Sequence, residues 1–238
     1  MRLLVTRPEP EGARTAALLR SRGHEVRLAP LLRIEPVADA VFGVGPWAGV
    51  VFTSANAARA VASHRRFGAL AALPAFAVGA RTREAAVAAG LTNVVSAEGD
   101  VGDLAALIVA GSEGTVLPLL YFAGGDRAGD LAGILGKAGR AVETVIAYRA
   151  VIVSDFDADV RAAISGGAID GVLHYSARTA SAFISAAKAA GIVDSAMKVR
   201  HFCLSAQVAA PLIAAAAAAV EIAAAPNEAA LLALVDRA

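Results

Sequence analysis

The sequence predicts an α/β fold of two similar lobes, each a parallel sheet flanked by helices. Three observations lead there. Short β-branched runs alternate with Ala/Leu-rich segments at helical spacing, a rhythm that covers mainly parallel strands with crossover helices. The chain also repeats itself at long range. Finally, two stretches at equivalent places in the repeat fit badly as interior strands and read as crossover linkers between lobes.

The elements follow in order. Leu3–Thr6 reads as a strand, and Gly12–Ser21 as a helix that Arg22 and Gly23 terminate. Val26–Ala29 is the next strand. Leu31–Val37 contains Glu35 and Pro36 and is the first candidate linker. Gly49–Thr53, Phe76–Val78, Val94–Ala97, Val116–Phe122 and Val142–Ile146 then read as strands, with helical segments between most of them. Ala147–Val153 follows without an intervening helix and is the second candidate linker. Gly171–Tyr175, Phe202–Leu204 and Val220–Ala223 complete the strands.

The repeat has a definite offset. Leu3-Leu4 with a helix ending at Gly23 resembles Leu119-Leu120 with a helix ending at Gly139, an offset of 139 − 23 = 116 that also aligns Val26 with Val142. Gly-Val-Val-Phe-Thr-Ser-Ala from Gly49 matches Gly-Val-Leu-His-Tyr-Ser-Ala from Gly171, and Phe-Ala-Val-Gly-Ala from Phe76 matches Phe-Cys-Leu-Ser-Ala from Phe202. Each half reads as five strands in the same order. A unit this long is no solenoid repeat. It points to a duplicated α/β unit and two lobes with a cleft between them.

Composition fits a packed core. Apolar residues make up 57% of the 238 positions and charged residues 18%, the opposite of a disordered chain. The formal net charge is +1 with no basic run, so nucleic acid is not expected as a partner. Cys203 is the single cysteine, which fits a reducing compartment and excludes an internal disulfide. The N-terminus does not read as a signal peptide. The apolar tract Val208–Val220 is interrupted by Pro211 and too short to span a bilayer. A cytoplasmic chain without a membrane partner is expected.

Open α/β sheets bind ligands at the carboxyl ends of their strands. Thr53, Ser54 and Asn56 sit at such an end, at the entry of a helix, and Ser176 takes the equivalent place in the second half. Each reads both as a helix cap and as an anion contact, because helix N-termini present free N–H groups. Gly79-Ala80-Arg81-Thr82 is another strand-to-helix turn, in which Thr82 can cap or contact a carboxylate. Arg7 follows the first strand and could hold a carboxylate bidentately or join a salt bridge, solvated or between lobes. The loop Ala123-Gly124-Gly125-Asp126-Arg127 is glycine-rich but is followed by no Gly-Lys-Ser/Thr, so it reads as a tight turn rather than a phosphate loop. His24 and His64 read as surface residues, His174 as a weak candidate near the cleft, and Cys203 as a buried small hydrophobe. No histidine pair has metal-ligand spacing, and no Ser/His/Asp set is visible.

Taken together, Leu3-Leu4-Val5-Thr6-Arg7-Pro8, Val51-Phe52-Thr53-Ser54-Ala55-Asn56-Ala57, Ala77-Val78-Gly79-Ala80-Arg81-Thr82, Glu143-Thr144-Val145-Ile146-Ala147-Tyr148, Tyr175-Ser176-Ala177-Arg178-Thr179-Ala180 and the C-terminal Ala224-Ala225-Pro226 resemble, in order and spacing, the motifs of the uroporphyrinogen-III synthase family. One departure stands out. The family often has a threonine aligned with Val208, and Ser205 is the nearest hydroxyl here.

The resemblance implies two lobes joined by a two-stranded linker. Lobe one would hold residues 1–34 and 153–238, lobe two 37–147, with linkers at about 31–37 and 147–153. It also implies cyclisation of hydroxymethylbilane to uroporphyrinogen III with inversion of the last pyrrole. Tyr148 is then the candidate catalytic group, and Arg7, Thr53, Ser54, Asn56, Thr82, Ser176 and Ser205 the substrate-binding candidates. No metal or organic cofactor is implied. The chain would act as a monomer and receive its substrate by transient handover from hydroxymethylbilane synthase. The alternatives are a two-lobed small-ligand binding protein without catalysis, since fold alone does not decide function, and a nucleotide-dependent transferase using Gly124 and Gly125.

Overall fold

The structure is a computed structural model that describes residues 1–111, 115–126 and 129–237. In chain order the elements are β1 (Arg2–Val5), α1 (Glu11–Ser21), β2 (Glu25–Leu28), β3 (Leu32–Pro36), β4 (Gly49–Phe52), α2 (Ala55–Ala62), β5 (Pro74–Ala77), α3 (Ala80–Ala88), β6 (Asn93–Ser96) and α4 (Val101–Gly111). Then come β7 (Leu119–Gly124), α5 (Leu131–Lys137), β8 (Val142–Ile152), α6 (Ala158–Ser165), β9 (Gly171–His174), α7 (Ala177–Ala189), α8 (Val193–Lys198), β10 (Arg200–Cys203), α9 (Ala206–Ala214), β11 (Ala219–Ile222) and α10 (Glu228–Val235).

Local chemistry accounts for these elements. In α1 the buried residues are Gly12, Thr15, Ala16 and Leu19, the spacing of a single helical face. The helix stops where Gly23 takes a positive φ of 84° and the His24 N–H donates to the Leu19 carbonyl, a left-handed glycine cap. β1, β4, β7 and β9 are almost wholly buried. Strands covered on both faces need unbroken apolar runs rather than alternation, and that is what these segments supply.

The chain divides into two compact units, Met1–Arg33 with Val151–Ala238, and Ile34–Ala150. The first holds a five-stranded sheet of order β11-β10-β9-β1-β2, and the order β3-β8-β7-β4-β5-β6 describes the six-stranded sheet of the second. The recorded pairings are parallel. The duplication explains both orders. If β1, β2, β4, β5 and β6 correspond to β7, β8, β9, β10 and β11, then β11-β10-β9-β1-β2 maps onto β6-β5-β4-β7-β8. Apart from β3, which the second sheet gains at its edge, each sheet therefore takes two strands from one copy and three from the other.

Each sheet is covered on both faces. In the first unit, residues of α6 to α9 pack on one face, around Phe156, Phe183 and Leu212, and residues of α1 and α10 on the other, around Leu19, Leu231 and Val235. In the second unit α2 and α3 cover one face and α4 and α5 the other. Among the described residues no helix is long and apolar enough to cross a membrane.

Most strand ends fall within two residues of expectation, and three stretches depart further. The strand expected from Val116 begins at Leu119: Val116 is 94% exposed, and Pro118 has no N–H to offer a ladder. Leu31–Val37 contains a true strand, β3, beside β8 at the edge of its sheet, where a proline such as Pro36 is tolerated. The strand expected at Val142–Ile146 runs on without a break through the linker stretch as far as Ile152, as the single strand β8. The boundaries between units fall inside β3 and β8.

Candidate functional site

In the second unit the carboxyl ends of β7, β4 and β5 lie side by side, next to the middle of β8. The three ends carry, in that order, Gly124 with Gly125, Thr53 with Ser54, and Gly79, and β8 brings Tyr148 opposite Gly124. Ser54 is the N-cap of α2 and Gly79 the N-cap of α3, so two helix N-termini open on the same sheet edge. Such ends favour anions through their free N–H groups and the helix dipole.

Hydroxyls are concentrated there. The Ser54 Oγ accepts from the Asn56 N–H at 3.2 Å and from the Tyr148 hydroxyl at 3.1 Å. The Thr53 Oγ1 lies 2.8 Å from the Tyr121 hydroxyl. The Asn56 Oδ1 accepts from Arg59 Nη1 at 3.0 Å. Tyr148 is half-buried. The pairing of β7 with β8 is irregular at this point: Ala123 pairs with Ile146, but Gly124 pairs with Tyr148, leaving Ala147 as an extra residue. Thr82 is turned inward on α3, 5% exposed, on the same buried face as Ala85 and Ala86.

Gly124 has a local explanation in the ring of Tyr148, which a Cβ at this position would meet at 2.7 Å. Arg127, the last residue of the glycine-rich stretch, lies outside the described residues. Tyr121 was not among the candidates. Its hydroxyl meets Thr53 because β7 pairs with β4, Tyr121 opposite Val51, and only strand order, which the sequence does not display, could have signalled it.

The first unit uses its equivalent positions differently. Ser176 caps α7 in a reciprocal box with Thr179, and Ser205 caps α9 by accepting from the Val208 N–H. Val208 is 5% exposed and packs in the core. At α3 the cap is Gly79 and the hydroxyl belongs to Thr82, three residues on; at α9 the cap carries the hydroxyl and the third residue is a core valine. Arg7 is engaged by residues of its own unit. Its Nη1 donates to Glu228 Oε1 at 2.8 Å and its guanidinium lies 4.1 Å over the Tyr175 ring. The same Glu228 oxygen accepts from Thr15 at 2.7 Å and from the Tyr175 hydroxyl at 3.3 Å. Burial pushes the Tyr175 phenol up to about 12.

His174 and His201 are fully buried on adjacent strands, with Nε2 of the first 3.0 Å from Nδ1 of the second. Burial lowers His174 well below the ordinary histidine value and lowers His201 to about 4. The pair is therefore neutral and belongs to the core, against the ring of Phe183. Cys203 is likewise buried, its thiol pushed up to about 12. The expectation that His24 and His64 are surface residues is corrected: both are half-buried and bonded. His24 Nε2 lies 3.4 Å from an Asp236 oxygen, and His64 Nε2 lies 3.0 Å from the Ala40 carbonyl. Among the described residues no three metal-ligating side chains come together.

The family model described as uroporphyrinogen-III synthase HemD matches residues 13–233. No curated protein matches the chain. Among solved structures, the chain is similar to the uroporphyrinogen-III synthetase of Helicobacter pylori, at 15% identity and a TM-score of 0.64, over 99% of this chain and 98% of that one. It is also similar to the uroporphyrinogen III synthase of Thermus thermophilus, at 17% identity and a TM-score of 0.43, over 100% of this chain and 97% of that one. The Helicobacter structure is a likeness of fold.

Proposed function

We propose a specific reaction for this chain, which belongs to the uroporphyrinogen-III synthase family of heme biosynthesis: it closes hydroxymethylbilane to uroporphyrinogen III, with loss of water and inversion of the last pyrrole ring. Membership of the family across residues 13–233 carries the reading. The row of hydroxyls and helix N-termini at the edge of the second sheet supports it, since the substrate bears many carboxylates and those groups suit anions.

The substrate supplies its own driving force. The lone pair of the terminal pyrrole nitrogen expels hydroxide from the adjoining hydroxymethyl carbon, leaving an electrophilic azafulvene. The substituted carbon of the far ring attacks, a spiro intermediate forms, and the ring is reattached inverted. The protein's task is chiefly to hold the chain so that this carbon, and not its unsubstituted neighbour, meets the electrophile, a matter of orientation. Tyr148 assists by giving its phenolic proton to the departing hydroxide, which leaves as water. The proton that the closing pyrrole loses restores the phenol, so the balance is one substrate to one product and one water. Thr53, Ser54 and Asn56, with the N–H groups of α2 and α3, bind substrate carboxylates. The chemistry needs no metal or organic cofactor, and hydroxymethylbilane synthase would hand over the substrate.

The test follows hydroxymethylbilane consumption by purified protein. The reading requires a rate proportional to protein concentration, above spontaneous closure and unchanged by a chelator. Tight binding of the substrate without faster consumption would instead favour a non-catalytic binding protein.

A further inference from the structure

We infer that Gly124 is a positioning residue for the reaction, acting through Tyr148. The inference rests on the proposed role of that tyrosine.

Alternation along β8 should send Tyr148 the wrong way. Val145 and Ala147 point to the face covered by α2 and α3, and Val142 and Ile146 to the face covered by α4 and α5. In a regular strand Tyr148 would follow Ile146. Instead it packs with Val145 and Ala147. The cause is the register shift between Ala123 and Gly124, which leaves Ala147 as an extra residue. A bulge inserts one residue, and one residue reverses every side chain after it.

Turning the ring is not enough, because its partner is two strands away. Tyr148 lies on β8 and Ser54 follows β4, with β7 between them. Neighbouring strands are about 4.8 Å apart, so the phenol must cross β7 to reach the Ser54 Oγ at 3.1 Å. It crosses at Gly124. A Cβ there would lie 2.7 Å from the Tyr148 Cζ and 2.8 Å from its hydroxyl oxygen. Phe122, two residues earlier on the same face of β7, is large and fully buried. Glycine at the next inward position opens the lane. The Gly125 N–H also donates to the Tyr148 carbonyl at 2.9 Å, which fixes the backbone beneath the ring. Gly124 and the bulge together decide where the phenolic proton is held.

The test is a double-mutant cycle of Gly124→Ala with Tyr148→Phe, measured as kcat at saturating hydroxymethylbilane, alongside the ring signals of 13C-labelled tyrosine. The chain has three tyrosines, so Tyr148 can be assigned by difference. Gly124→Ala alone is expected to lower kcat by about tenfold or more, the scale of a lost proton donor, with a smaller effect on KM. Added to Tyr148→Phe it should change kcat by less than about twofold, because effects passing through one group do not add. The Tyr148 signal should move, and those of Tyr121 and Tyr175 should not. An equal loss in both backgrounds, or an unmoved Tyr148 signal, overturns the inference while leaving the tyrosine's own role standing. Full activity in Tyr148→Phe overturns the role of the tyrosine, and with it any catalytic part for Gly124; a shifted Tyr148 signal in Gly124→Ala would then leave only the geometric part.

Discussion

Tyr148 and the buried histidine pair make separate demands on single residues. Replacing Tyr148 by Phe removes one oxygen from a half-buried ring that is packed against its neighbours. The fold should survive. Turnover should fall by about tenfold to a hundredfold, the low end for general acid assistance because the leaving group is already activated. Isomer III should still be the enzymatic product; wild-type turnover with an unchanged thermal midpoint would make the tyrosine a packing residue. His174 and His201 are held neutral by burial. Unfolding frees them to bind protons below about pH 6.5, so the unfolded state holds more protons than the native one and stability falls with pH. The window runs from about 6.5 down to about 4, the value to which His201 is lowered. Stability from urea titrations should drop between about pH 7 and pH 5, by on the order of 2 kcal/mol for each histidine. A His174→Leu/His201→Leu variant should show a smaller drop, and an equal one would refute the assignment. The sequence singled out Thr53, Ser54 and Ser176 because strand-to-helix turns are locally encoded, and Tyr148 through the family resemblance. It did not reveal Tyr121 or the carboxylate that Arg7 meets, because Tyr121–Thr53 and Arg7–Glu228 are contacts across 68 and 221 positions.

At the scale of elements, duplication has preserved a packing device. Gly49 and Gly171 open the equivalent strands β4 and β9, and each lies against an aromatic ring of the next strand. A Cβ at Gly49 would meet Phe76 at 3.0 Å and the Pro74 carbonyl at 2.6 Å; at Gly171 it would meet Phe202 at 2.5 Å and Leu3 at 3.2 Å. Phe202 is fully buried and has nowhere to turn. Gly171→Ala should therefore destabilise by about 1–3 kcal/mol, the usual cost of overpacking. Gly136→Ala, in helix α5 with nothing within 4 Å of an added Cβ, should be neutral or stabilising by up to about 1 kcal/mol. Comparable urea midpoints for the two variants would contradict this. The Gly–Phe correspondence was visible in the aligned repeat, as were most strands. The bulge in β8 was not. Ala147 reads as the start of a linker, and its extra place exists only relative to β7.

At the scale of the molecule, neither half of the sequence contains a whole sheet. β4, β5 and β6 need β7 and β8, while β1 and β2 need β9, β10 and β11. A fragment of residues 1–116 should therefore remain unfolded. The segment Ile34–Ala150 is contiguous and holds both cores of its sheet, and it should unfold cooperatively in urea when expressed alone. A cooperative transition in the first fragment and none in the second would reverse the domain assignment. The repeat forecast two similar sheets. It left open which strands of each copy go to which sheet, since this depends on β3 and β8 passing between units.

Uroporphyrinogen-III synthesis is claimed above all by the isomer formed. Purified protein should be given hydroxymethylbilane, the products oxidised, and isomers I and III resolved at several protein concentrations. Isomer III should rise with protein until it displaces isomer I. Isomer I alone, formed at the rate seen without protein, would contradict the assignment.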